Sequence, residues 1–131
     1  MLFRSPEGKK ILEALKMVKN GPLNQGLTDK IKGIGEMEST LLLNQLARIG
    51  RGNQWNVDTV CAAMHITEAY PSIGDRLALV LGEIPSKSVK PAVVNRIKDK
   101  EWAKSLLEKW ANDSETPASV KNTIMPKKSR G

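Results

Sequence analysis

Nowhere in this chain do apolar and polar residues alternate for more than a few positions, so there is no pattern from which to build a sheet. Apolar residues instead recur three and four apart, in segments cut short by glycine and proline. Ser5-Pro6 supplies an N-cap and a first-turn proline, and Ile11, Leu12, Leu15 and Val18 follow at helical spacing until Asn20-Gly21-Pro22 stops the helix. A short segment from about Asn24 to Lys32 ends at Gly33-Ile34-Gly35. A longer helix is predicted from Glu36 to Ile49, closed by Gly50, with Met37, Leu41, Leu42, Leu46 and Ile49 on its buried side. Asn56 is a good cap for a helix from Val57 to about Ala69, whose apolar face is Val57, Val60, Cys61 and Met64. Pro71-Ser72-Ile73-Gly74 breaks the chain before a helix from Asp75 to Leu81, and Pro91 starts a further turn through Ile97. Asp99 is placed to cap a last helix, Lys100 to Trp110, with Trp102, Leu106 and Trp110 four apart on one core-facing side.

The expected fold is therefore all-α: a compact bundle of six or seven short helices forming one domain over residues 1–111. From Asn112 onward the composition turns to Asn, Ser, Thr, Pro and Lys, and residues 112–131 are expected to be a flexible basic tail ending Pro126-Lys127-Lys128-Ser129-Arg130-Gly131. At 131 residues the chain has room for one full domain. Aromatic residues are only 4%, so the core must come from Leu, Ile, Val, Ala and Met.

Several function classes drop out. A single cysteine, Cys61, makes no intramolecular disulfide and no cysteine-based zinc cluster, which reads as intracellular. One histidine excludes a multi-histidine metal centre. The longest apolar run, Leu77 to Leu81, is far short of the ~20 residues that span a bilayer. The first residues have no apolar core of a signal peptide. No Walker loop, serine-nucleophile elbow, nucleotide-binding glycine fingerprint or convincing carboxylate pair is present, so neither catalysis nor a cofactor is expected.

Charge points the other way, toward a partner. Lys and Arg number 21 against 14 Asp and Glu, a net charge of +7. It is unevenly spread: +3 over residues 1–50, −2 over 51–85, +4 over 86–111 and +2 over 112–131. Two basic flanks around an acidic middle favour an anionic partner such as nucleic acid.

One local pattern occurs twice. Ile31-Lys32-Gly33-Ile34-Gly35 is followed by Ser39 and Leu42; Tyr70-Pro71-Ser72-Ile73-Gly74 is followed by Ala78 and Leu81. In each, a glycine is expected to close a tight turn at positive φ. Four residues on, a small residue lets two helices approach, and a leucine three further anchors them. Such a turn leaves backbone N–H groups at a helix N-terminus, where a phosphate can be held.

The pattern resembles the helix-hairpin-helix motif, which reads apolar-Pro-Gly-Ile-Gly before a small residue and an aliphatic. Two copies over about residues 24–82 are similar to the tandem helix-hairpin-helix domain of structure-specific DNA-binding proteins. There, two hairpins joined by a connector helix grip phosphates on both strands across the minor groove. The resemblance implies that the helix from Val57 to Ala69 is the connector, and that Lys30, Lys32, Gly33, Gly35, Ser72, Gly74 and Arg76 face phosphate. The chain departs from the motif at Glu36 and Glu38, at Ser72 in place of a glycine, and at Asp75.

Arg48 and Arg51, around Gly50 and Gly52 and just ahead of Trp55, suit either a mobile basic loop with a stacking aromatic or a plain helix end with a core tryptophan. Lys87, Lys90, Arg96, Lys98, Lys100, Lys104 and Lys109 form the densest basic run, diluted by Asp99, Glu101 and Glu108; Lys98 and Lys104 are taken as its phosphate contacts. Asp58, Cys61, His65 and Glu68 share one helix face, a spacing open to a metal or a thiol–imidazole reading but more consistent with a buried cysteine beside polar groups. The run Ala103 to Trp110 is similar to the last helix of transcription-elongation-factor N-terminal bundles over eight residues, from which nothing is carried over.

The expectation is a non-catalytic protein that binds nucleic acid through phosphates, duplex or branched DNA ahead of RNA. The alternative is a structural or assembly protein, nucleocapsid-like or a filament or complex subunit. That protein would form a homo-oligomer or larger complex by helix-mediated contacts, a reading favoured by the acidic residues at both hairpins.

Overall fold

The structure is a computed structural model and describes residues 6–125. Among these residues there are seven α-helices and no strand: α1 (Pro6–Lys16), α2 (Gln25–Asn53), α3 (Val57–Ala69), α4 (Gly74–Leu81), α5 (Pro91–Ile97), α6 (Lys104–Asn112) and α7 (Ala118–Ile124). Short 3-10 turns at Pro71–Ile73, Ser86–Ser88 and Glu101–Ala103 link the later helices. The all-α expectation holds. No described helix is long and apolar enough to cross a membrane.

The centre of the fold is α3. Every residue from Thr59 to Thr67 is buried, so this helix has no free side over more than two turns. An apolar face alone was expected of it. The alanines Ala62 and Ala63 let neighbouring helices come close enough to cover the rest. α2 covers α3 most extensively, with α1, α4, α5 and the Pro71–Ile73 turn around it. Asn56 caps α3 as expected, its Oδ1 accepting from the Thr59 N–H at 2.9 Å.

The two predicted segments on either side of Gly33-Ile34-Gly35 are the two arms of α2, joined through one non-helical residue, Gly35 (φ 88, ψ 163). The kink resets which face is buried: Ser39, Leu42, Leu43, Leu46, Ala47 and Gly50 point inward, and Met37, expected in the core, is 71% exposed. The buried Ser39 hydroxyl spans the kink, donating to Gly35 O at 2.7 Å and lying 3.4 Å from Ile31 O. Gly50 does not close the helix. The α2 helix continues to Asn53, and Gln54 (φ 56) and Trp55 (φ 52) then turn the chain back, with the Trp55 N–H on Gly50 O at 2.7 Å. The Trp55 indole fills the place of a side chain at Gly50, where a Cβ would stand 2.4 Å from Trp55 Cε2.

Two further expectations are corrected. Asp99 caps nothing, because Glu101–Ala103 forms a 3-10 turn and α6 begins at Lys104. The domain does not end at residue 111: α7 packs on α5 and α6, with Val120 fully buried. The expected tail is thus folded through most of its length, since Val120, with Ile124 four residues on, gives a short and otherwise largely polar helix an apolar side to dock. Ser5 and the basic run from Pro126 to Gly131 lie outside the described residues.

Candidate nucleic-acid interface

The two sequence copies of the hairpin pattern do meet in space, though not as two equivalent turns. Tyr70 Oη donates to the Lys32 carbonyl at 2.6 Å, and the Ser72 hydroxyl makes a short hydrogen bond to the Glu36 carboxylate. Four residues on, Arg76 Nε donates to Asn44 Oδ1 at 3.1 Å. Ser72 and Arg76 are therefore engaged in tying the second copy onto α2.

The glycines also differ. Gly35 has the positive φ that only glycine adopts readily, and it borders open space. Gly33 is exposed and lies within the helical first arm. Gly74, by contrast, is right-handed (φ −56, ψ −38) and buried, with its N–H on Pro71 O. Its lack of a side chain serves packing, because a Cβ there would stand 2.3 Å from Trp102 Cδ1. The second copy is a close helix contact in place of the expected positive-φ turn, and Gly74 is covered where a phosphate would have to reach it.

The remaining predicted cations sort by their partners. Arg51 pairs with Glu83, Nε to Oε1 at 2.9 Å, which raises the guanidinium pKa and lowers that of the carboxyl through their hydrogen bond. Lys104 lies 3.4 Å from Glu101, both side chains exposed. Lys30, Lys32, Arg48 and Lys98 are exposed and make no ion pair among the described residues. Lys30 and Lys32, two apart on a helix, point to different sides. Lys30 lines a groove of about 370 Å³ with Ala14, Met17, Val18 and Leu27 between α1 and α2. Trp55 is buried, so the Arg48–Arg51 segment offers no exposed aromatic for stacking.

The face of α3 that carries Asp58, Cys61, His65 and Glu68 is where the fold gathers its long-range polar contacts. Asp58 accepts from the Asn20 N–H at 2.8 Å and lies 4.0 Å from Lys19. The Cys61 thiol lies 3.6 Å from Gly21 O. His65 is 1% exposed, with Nδ1 2.8 Å from Cys61 O and Nε2 accepting from the Asn24 N–H at 2.9 Å. These two contacts define a neutral ring protonated on Nδ1, and burial holds its pKa below the ordinary value of 6.5. Glu68 pairs with Lys100 at 2.8 Å. Among the described residues no three metal-binding side chains come together. The regular spacing reflects a helix face onto which the α1–α2 loop and the segment after α5 are fastened.

Two basic segments of the chain are fastened at the C-terminal end of α3. The Lys32 backbone carbonyl accepts from Tyr70 Oη, and the Lys100 ammonium pairs with Glu68, two residues after Lys98. Arg96, on α5, comes from the same side: its Nη2 donates to Cys61 Sγ at 3.4 Å, and its Nε is buried without a partner. In sequence Arg96 was one of seven cations in a basic run, and nothing distinguished it there; only its half-burial against α3 does. Compared with protein-family models, with curated proteins and with solved structures, nothing matches the chain.

Proposed function

We propose that the protein is a non-catalytic, intracellular nucleic-acid-binding protein that contacts the phosphate backbone, DNA in preference to RNA. The observation that carries this reading is the fastening of two exposed basic segments, around Lys32 and around Lys98–Lys100, to the C-terminal end of α3, in a chain of net charge +7. The C-terminal end of a helix carries partial negative charge, which favours the Lys100 ammonium held beside it on Glu68. Lys32 and Lys98 have no carboxylate partner among the described residues and are free to replace the counterions of a phosphate backbone. The kink at Gly35, three residues from Lys32, borders open space. Recognition rests on this one hairpin and the basic end of α3, not on two symmetrical hairpins.

The test is fluorescence anisotropy with duplex, branched and single-stranded DNA and with RNA, each over a salt series. The expected result is binding that weakens along a straight log–log salt line. Lys32→Ala and Lys98→Ala together should make that line shallower by about 1.8 for duplex DNA, at about 0.9 for each lost phosphate contact. Absence of binding at low salt refutes the reading.

One observation favours the assembly alternative. Leu79 is 73% exposed beside a mostly apolar groove of about 280 Å³ between α4 and α6, lined by Ala78, Gly82 and Leu106. Light scattering across concentration decides it: self-association without nucleic acid that Leu79→Asp abolishes would support assembly, and a strict monomer would remove it.

A further inference from the structure

Arg96 holds a position that the other cations do not. Three basic side chains are aligned along one face of α3: Lys19 near Asp58, Arg96 on Cys61 and Lys100 on Glu68. At 1.5 Å of rise per residue these anchor points lie about 4.5 and 10.5 Å apart along the helix. The outer two cations stand against carboxylates. The middle one, half-buried, has only a neutral thiol at 3.4 Å, and its Nε is buried with no partner. The two carboxylates on this face are already taken, Asp58 by the Asn20 N–H and Lys19, Glu68 by Lys100. Residues 1–5 and 126–131 contain no Asp or Glu that could serve instead.

A guanidinium withdrawn from water without a counter-ion is costly, and a fold normally answers it with a carboxylate. The one other titratable group against it, His65, is neutral, and the nearby guanidinium adds to the burial that keeps it so. Among the described residues no carboxylate pairs with Arg96, and the carboxylate on each side of it is already paired with a lysine.

We infer that Arg96 is the centre of an oxyanion site on the α3 face, completed from outside the chain by a phosphate group. That the phosphate belongs to a nucleic-acid backbone rests on the function proposed above. The planar fork of the guanidinium suits two oxygens of one phosphate, which a lysine cannot match, and Lys19 and Lys100 flank it along the helix.

The experiment compares wild type, Arg96→Met and Arg96→Lys in low-salt chloride buffer, with and without millimolar inorganic phosphate at matched ionic strength. Methionine keeps an apolar stem out to the place of Nε and carries no charge, so Arg96→Met is expected to melt a few degrees above wild type, as a chain relieved of an unpaired half-buried charge should. Phosphate is expected to raise the wild-type Tm, to leave Arg96→Met unmoved and to raise Arg96→Lys by a smaller amount. Oligonucleotide affinity should fall about tenfold in Arg96→Met, the loss of one charge-assisted contact, with a salt slope shallower by about 0.9 on duplex.

A lower melting temperature or failure to fold in Arg96→Met, or an equal phosphate response in wild type and Arg96→Met, overturns the site. Equal oligonucleotide binding by the two overturns it as well and leaves the nucleic-acid reading standing. An Arg96-dependent phosphate response in a protein that binds no oligonucleotide keeps the anion site and removes the nucleic-acid reading.

Discussion

Replacing Gly33 and Gly35 by alanine, one at a time, should move stability in opposite directions although the two residues are only two apart. At both positions an added Cβ meets nothing within 4 Å, so neither substitution creates a clash. They differ in backbone alone. Gly35 sits at φ 88, ψ 163, a region essentially reserved for glycine, and a side chain held there costs about 1–3 kcal/mol. Gly33 lies in the helical arm, where alanine is favoured over glycine by roughly 0.5–1 kcal/mol. The two variants should therefore differ by about 1.5–4 kcal/mol in ΔG of unfolding. With a urea m-value of about 1–3 kcal/mol/M for a small domain, their midpoints should separate by roughly 0.5 M or more, with wild type between them and m unchanged. The kink also aims Ser39 across its own break, so Gly35→Ala stresses a bond network as well as one residue. Equal midpoints for the two variants, or a Gly35→Ala more stable than wild type, would refute the claim that this residue makes the kink.

Three other outcomes follow from the packing. Gly74→Ala should destabilise by about 1–3 kcal/mol through its collision with Trp102, and Trp102→Ala made alongside it should relieve that part of the loss, so the double mutant departs from additivity in chemical denaturation. Val120→Ala should lower stability by about 1–3 kcal/mol, whereas a disordered tail would make it silent in the same assay. His65 carries the pH dependence: its folded pKa lies below the unfolded 6.5, so the unfolded chain takes up the proton first. Stability should be complete above about pH 6.5 and decline as the pH falls through that value toward the lower folded one, and His65→Gln should remove this component from the urea midpoint measured against pH.

The helices were legible because their signals are local. Asn56 caps α3 because an asparagine side chain can reach the third amide onward, and Pro91 opens α5 because its ring is pre-set for a first turn. Several of the differences come from partners distant in sequence, whereas the exposure of Met37 comes from the kink at Gly35 two residues before it. Gly50 and Gly74 look like punctuation, yet each is a gap for a tryptophan ring; Trp55 stands five residues from Gly50, whereas Trp102 reaches Gly74 from 28 residues on, outside any local window. The polar stretch after Asn112 was misjudged because α7 is held by Val120 against helices formed by residues up to 29 positions earlier. In the interface, Lys32 and Lys98 were visible as charge, but the contact through Tyr70 and Glu68 that brings their neighbourhoods together was not. Arg96 shows the limit most plainly: a basic run records how many cations there are, and only the structure shows which of them is withdrawn from water without an anion.

Because α3 has no exposed side from Thr59 to Thr67, its amides reach water only when the surrounding helices come away together. Hydrogen exchange there should proceed at one common rate set by opening of the whole domain, while the half-buried kink at Gly35, which breaks the helical ladder, exchanges through small local fluctuations. The central helix thus serves as an internal gauge, so that any ligand bound at the surface can be weighed by how far it slows exchange in a part of the protein it never touches.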